Sequence, residues 1–200
     1  MGSVEPGAGR GAVAEPGPLT LANALTALRI VLAPVFLVLY VRGQPHRALA
    51  AFAAAAATDV LDGLVARALH QHTRLGAFLD PVADKFLAAC ALVALALAGR
   101  LPAWLPALVV ARDAAQLAGA AVLRGTRRDI PIAPTRIGKY ATFALAATVV
   151  LVLGSDFGAY TREEAAPFVV ATALLAAECV ALSFGQYFLV FVRGMRAATA

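Results

Sequence analysis

The sequence predicts an all-α fold: a polytopic integral membrane protein of six transmembrane helices, with N and C termini cytoplasmic. Three observations carry that reading. Hydrophobic residues make up 61% of the 200 residues and charged residues 14%, with a mean hydropathy of +0.78. Soluble domains lie nearer about 45–50% apolar and about 25% charged. Apolar stretches long enough to cross a bilayer alternate with short polar turns. Basic residues then fall mainly on one side of the resulting topology.

Met1–Pro18 is rich in Gly, Ala and Pro and has no apolar run, so residues 1–18 are expected to be a disordered tail rather than a signal peptide. Residues 19–196 form the membrane domain. The first span covers about Leu21–Val41, followed by a polar turn, Arg42–Arg47. The second covers about Ala48–Leu69 and the third about Leu75–Ala98. Pro81 falls in the first turns of the third, which predicts a mild kink or a delayed helix start beside Asp80. Gly99–Pro102 makes a turn, Trp104 takes an aromatic-belt position, and the fourth span continues to about Leu123. A basic connector, Arg124–Tyr140, leads to the fifth span at Tyr140–Leu153, or from near Thr135 because that core is short. Gly154–Glu164 is read as a loop and Ala166–Val192 as the sixth span.

With six spans both termini share a side. That side holds Arg10, Arg67, Arg74, Arg124, Arg127, Arg128, Arg136, Lys139, Arg193 and Arg196; the other holds Arg42, Arg47, Arg100 and Arg162. The imbalance places the termini in the cytoplasm of a cell (inner or plasma) membrane. No basic stripe is interleaved with aromatics, so nucleic acid is excluded as a partner. Cys90 and Cys179 sit in apolar stretches as small buried hydrophobes, without a disulfide or thiolate metal pattern.

Four acids are out of place. Asp59, Asp62, Asp80 and Asp84 lie in or beside apolar segments, where each carboxylate costs roughly 2.5–3.5 kcal/mol on insertion scales. Asp59, Asp62, Gly63, Ala66 and Arg67 share one helix face, and Gly76, Asp80 and Asp84 repeat every four residues on another. The connector His70–Arg74 lets the two helices turn back antiparallel, so the four carboxylates face one another. Hard oxygen ligands without thiols favour magnesium, manganese or calcium, and two such ions would clamp a phosphoryl transfer. The plainer alternative pairs the acids with Arg67, Arg74 and Lys85. His70 and His72, two apart on a turn, do not make a usual metal pair.

Asp59, Asp62, Gly63, Ala66, Arg67, Gly76, Asp80 and Asp84 fit D-x2-D-G-x2-A-R-x8-G-x3-D-x3-D without a gap or substitution. That pattern resembles the signature of the CDP-alcohol phosphatidyltransferases, membrane enzymes of phospholipid synthesis. The opening of the first span is similar to the P-N-x-L-T-x-x-R start of glycerophosphate-type members: Asn23, Thr26 and Arg29 match, and Ala22 replaces the proline. The resemblance implies a donor, CDP-diacylglycerol, held by Asn23, Arg29, Gly63, Ala66, Arg67, Thr73 and Gly76. It implies two Mg2+ ions (Mn2+ as the alternative) on Asp59, Asp62, Asp80 and Asp84, with Asp84 as catalytic base, and a homodimer. Arg29 has a second reading, as a snorkelling interfacial anchor.

Arg112, inside the fourth span beside Asp113, needs a cavity or a partner. With Arg127, Arg128, Arg136 and Lys139 it is the candidate acceptor site, unless the connector residues serve only topology and anionic headgroups. The LDPVADK run and Thr135–Thr142 resemble the phosphatidylglycerophosphate synthase and cardiolipin synthase branch. Glycerol 3-phosphate is therefore the first expected acceptor, phosphatidylglycerol the second and inositol phosphate the third. A different class, an ion or proton transporter, would spread its acids through the membrane midplane. Only Glu178 fits that pattern, and the glycine and arginine spacing would stay unexplained.

Overall fold

Thr20 opens the first helix. Its backbone is extended, with φ −107° and ψ 158°, and its hydroxyl accepts a hydrogen bond from the Asn23 amide at 3.2 Å, satisfying one otherwise orphaned donor. The computed structural model describes residues 20–68, 74–125 and 136–196. There the chain forms α1 (Leu21–Val41), α2 (Pro45–Ala68), α3 (Arg74–Leu97), α4 (Trp104–Gly125), α5 (Arg136–Asp156) and α6 (Arg162–Arg196). The expected tail at 1–18 lies outside the described residues, as do Thr73, Arg127 and Arg128 and the side chains of Ala66 and Arg67.

Four helix starts differ from the sequence expectation, and α5 and α6 run on to Asp156 and Arg196, past the expected ends at Leu153 and Val192. α2 starts at Pro45 rather than Ala48, because proline's fixed φ suits the first helical position. α3 runs through Pro81 from Arg74, so the delayed start is not observed; helices packed in a membrane tolerate such a proline. α5 starts at Arg136, close to the earlier of its two expected starts. α6 begins at Arg162 because Thr161 and Glu164 form a capping box. The Glu164 amide donates to Thr161 Oγ1 at 3.2 Å, and the Thr161 amide donates to Glu164 Oε2 at 2.8 Å.

The α1–α2, α3–α4 and α5–α6 turns lie at one end of the bundle and share a design. Gly43, Gly99 and Gly158 take φ of 70°, 70° and 76°, and the next amides reach back across the helix ends. Gln44 N–H donates to the Leu39 carbonyl at 3.0 Å, Arg100 N–H to Leu95 at 2.8 Å and Ala159 N–H to Gly154 at 3.1 Å. These are Schellman terminations, which glycine permits without a Cβ penalty. The same end is tied together by Asp156. It accepts from the Tyr40 hydroxyl and pairs with Arg100 at 3.3 Å and Arg162 at 3.1 Å.

α1 packs on both α2 and α3, α5 packs along α6, and α4 lies against α6 and α3. The contacts are lined by small residues, among them Ala33, Ala48, Ala51, Ala55, Ala94, Ala144 and Ala176, all buried. Small side chains let helix backbones approach where lipid supplies no hydrophobic drive between helices. Thr148, fully buried on α5, adds a hydrogen bond to Thr172 of α6 at 2.9 Å. Large apolar side chains such as Phe143, Phe168 and Leu182 face outward. Among the described residues, four helices are long and apolar enough to cross a membrane: segments Asn23–Val41, Pro45–Val65, Arg136–Asp156 and Arg162–Leu189. The chain is an integral membrane protein. α3 and α4 carry charge within their length: Asp80, Asp84 and Lys85 on one, Arg112 and Asp113 on the other.

Candidate active site

Asn23, Thr26, Arg29, Ala33, Phe36 and Tyr40 form one buried stripe along α1, at the three- and four-residue steps of a helix face. Its middle is apolar and its ends are polar. The Tyr40 end meets Asp156; the Thr26 and Arg29 end meets the four acids. α2 brings Asp59 and Asp62 there from its last turns, and α3 brings Asp80 and Asp84 from its first three. Arg29 lies eight residues into α1, so the site is about 12 Å along the helix from its N-terminus at 1.5 Å per residue.

Arg29 is fully buried and bridges both acid-bearing helices. Its Nη2 is 2.5 Å from Asp62 Oδ2 and 3.0 Å from Asp59 Oδ1, and its Nη1 is 2.6 Å from Asp84 Oδ1. The Thr26 hydroxyl donates to Asp80 Oδ1 at 2.7 Å and lies 3.5 Å from Asp62 Oδ2. α1 therefore engages one oxygen of each carboxylate. Asp62 is buried, whereas the side chains of Asp59 and Asp84 are 53% and 54% exposed, so the cluster opens outward past those two. By formal charge, one guanidinium among four aspartates leaves three negative charges in excess. Charge of that sign, on hard oxygen donors, suits divalent cations. Among the described residues no three such ligands are already gathered at metal-binding spacing; the direct bonds of the cluster run to α1.

The snorkelling reading of Arg29 is corrected. An arginine with no exposure and three carboxylate partners does not reach the interface. Lys85 does not neutralise the cluster either, because it turns to α4 and pairs with Asp113 at 3.3 Å. Gly76 is buried and Gly63 half-buried on the acid-bearing helices.

Arg112 does find partners inside the bundle. It donates to Asp113 Oδ1 at 2.7 Å and to Ser183 Oγ of α6 at 2.9 Å. Lys85 Nζ also lies 3.5 Å from Gln116 Oε1. Lys85, Arg112 and Asp113 leave one positive charge in excess. Arg112 Nε and Gln116 Nε2 are buried donors without a hydrogen-bond partner among the described residues, an arrangement that favours an anion. Asp84 and Lys85 are consecutive on α3, so this cationic cluster adjoins the acidic one. Arg136 and Lys139 are exposed at the start of α5, and no hydrogen bond or ion pair joins them to Arg112 among the described residues.

Sequence reasoning matched Thr26 only as a motif letter and did not assign Lys85, Gln116 or Ser183 to a site. The signal for Thr26 was its place one helical turn before Arg29; Gln116 and Ser183 gave none, being ordinary polar residues until α4 meets α6.

The sequence profile described as CDP-alcohol phosphatidyltransferase matches residues 19–184. The chain is 41% identical over 150 residues to a probable phosphatidylglycerophosphate synthase of Mycobacterium tuberculosis, covering 71% of this chain and 67% of that one. Over 96 residues it is 48% identical to the CDP-diacylglycerol–glycerol-3-phosphate 3-phosphatidyltransferase of Pseudomonas fluorescens, covering 46% of this chain and 49% of that protein. It is 36% identical over 180 residues to a CMP-forming cardiolipin synthase of Streptomyces coelicolor, covering 84% and 83% of the two chains.

Proposed function

Because the chain belongs to the CDP-alcohol phosphatidyltransferase family, we propose that it transfers the phosphatidyl group of CDP-diacylglycerol to glycerol 3-phosphate and releases CMP. The observation that carries the proposal is the meeting of acids from α2 and α3 beside a cationic cluster on α3 and α4. In the reaction the acceptor hydroxyl oxygen bonds to the phosphorus that bears diacylglycerol, the bond from that phosphorus to the CMP oxygen breaks, and the hydroxyl proton leaves.

Asp59, Asp62 and Asp80 would hold two Mg2+ ions, with Mn2+ as a substitute and Asp84 contributing to one. Bound there, divalent ions supply charge neutralisation for the pyrophosphate and for departing CMP. Asp84 takes the acceptor proton; its half-exposed side chain, beside Lys85, lies where the two clusters adjoin. Gly63 and Gly76 leave room for the nucleotide against the helix backbones. Asn23, Ala66, Arg67 and Thr73 complete the donor side. Arg112, with Lys85 and Gln116, binds the acceptor phosphate, and Arg127, Arg128, Arg136 and Lys139 draw it in from the aqueous side.

All six helices cross the bilayer in this reading. The 24 residues of α3 and 22 of α4 reach about 36 and 33 Å, enough for a hydrocarbon core of about 30 Å. The termini and the acid cluster face the cytoplasm, where a nucleotide and a charged acceptor are found, and two copies form a homodimer.

A second reading, phosphatidylglycerol as acceptor, draws on the likeness to the Streptomyces cardiolipin synthase along 84% of the chain. One assay separates the two. Purified protein is incubated with CDP-diacylglycerol, Mg2+ and glycerol 3-phosphate, phosphatidylglycerol or inositol phosphate in turn, and CMP is measured. Release with glycerol 3-phosphate is expected; release with phosphatidylglycerol alone selects the second reading, and no release with any acceptor contradicts both.

A further inference from the structure

We infer that Thr26 and Arg29 of α1 are positioning residues that aim the four carboxylates at their cations, rather than contacts to the lipid donor. The inference rests on the metal reading proposed above and extends it to a helix that carries no acid of the cluster.

Each carboxylate offers two oxygens, and α1 engages one from each: Oδ1 of Asp59, Oδ2 of Asp62, Oδ1 of Asp80 and Oδ1 of Asp84. Among the described residues the opposite oxygen of each takes no other hydrogen bond or ion pair, which leaves it for a ligand. A carboxylate fixed through one oxygen cannot rotate freely about its terminal torsion, so the direction of the second oxygen is set before a cation arrives. The two residues divide the work. Arg29 spans α2 and α3 through Asp59, Asp62 and Asp84, and Thr26 holds Asp80, the one acid Arg29 does not reach, with Asp62 at 3.5 Å. Both are completely buried, and among the described residues the three bonds of Arg29 go to acids of the cluster while its Nε has no partner. Partners that orient metal ligands in this manner are worth roughly 10–100-fold in metal affinity when removed.

Mn2+ binding to the purified full chain, followed by electron paramagnetic resonance and without lipid substrate, tests the inference. Thr26→Val keeps the shape and removes the hydroxyl; Thr26→Ser keeps the hydroxyl. Thr26→Val is expected to weaken Mn2+ binding by about 10–100-fold, with Thr26→Ser near wild type and both variants unfolding at wild-type temperature. Arg29→Lys, which retains one charge but cannot span three acids, is expected to weaken binding as well. Wild-type affinity in Thr26→Val, or equal losses in Thr26→Val and Thr26→Ser, overturns the inference. So does an Arg29→Lys enzyme with raised KM for CDP-diacylglycerol and unchanged Mn2+ affinity, which would make Arg29 a donor contact. If the wild-type protein binds no Mn2+, the metal reading itself fails, a result distinct from any of these.

Discussion

Asp84 and Asp59 differ in what they are asked to do, and substitution separates them. Asp84→Asn removes the proposed base and is expected to lower turnover by about 10²–10⁴-fold while CDP-diacylglycerol binding remains measurable; near-normal turnover would remove Asp84 from that role. Asp59→Asn leaves the base in place, so its expected effect is a higher Mg2+ requirement, read from a metal titration of CMP release. Arg112→Met should raise KM for the acceptor and leave KM for the donor unchanged, because Arg112 is linked through Asp113 to Lys85 and makes no bond to the four acids among the described residues. The acids were legible in the sequence because a carboxylate in an apolar helix needs a partner and their three- and four-residue steps share a face. Their partner was not. Arg29 precedes Asp62 by 33 residues and Asp84 by 55, and periodicity states which side of α1 is buried only once the neighbours of α1 are known.

At the scale of elements, the three Schellman turns make a matched set of predictions. Gly43→Ala, Gly99→Ala and Gly158→Ala each place a Cβ at a left-handed backbone position, at a cost of about 1–2 kcal/mol. Among the described residues nothing obstructs the added methyl at those positions, so thermal unfolding should report backbone strain. Gly154→Ala differs in kind: its backbone is not left-handed, but a Cβ would lie 2.9 Å from the Tyr160 ring carbon that bears the hydroxyl. Tyr160 donates from that hydroxyl to the Leu151 carbonyl at 2.8 Å, so the ring must move and the bond weaken. The turn at Gly99 was legible from Gly and Pro together. The start of α6 was misplaced by four residues because polar Thr161–Glu164 reads as loop by hydropathy, whereas its capping box makes it a helix start.

For the whole molecule, polarity is distributed end to end. The Tyr40, Arg100, Asp156 and Arg162 network closes the end that carries the glycine turns, and the acid cluster lies towards the other. The topology proposed from basic residues predicts that, in a background lacking Cys90 and Cys179, Q44C is labelled by an impermeant thiol reagent in intact cells and Q71C is not. The reverse pattern would invert the protein and place its acids outside. The all-helical class and the acid-bearing pair were legible because composition and spacing act locally; the α3–α4–α6 polar cluster was not, because it exists only where three distant helices meet. The central claim is that acids on α2 and α3 serve one metal site. A double-mutant cycle on Mn2+ affinity with Asp62→Asn, Asp80→Asn and both together tests it most directly. One shared site predicts that the double variant loses far less than the two single losses combined, a coupling of about 0.5–3 kcal/mol; losses that simply add would show two independent carboxylates and contradict the account.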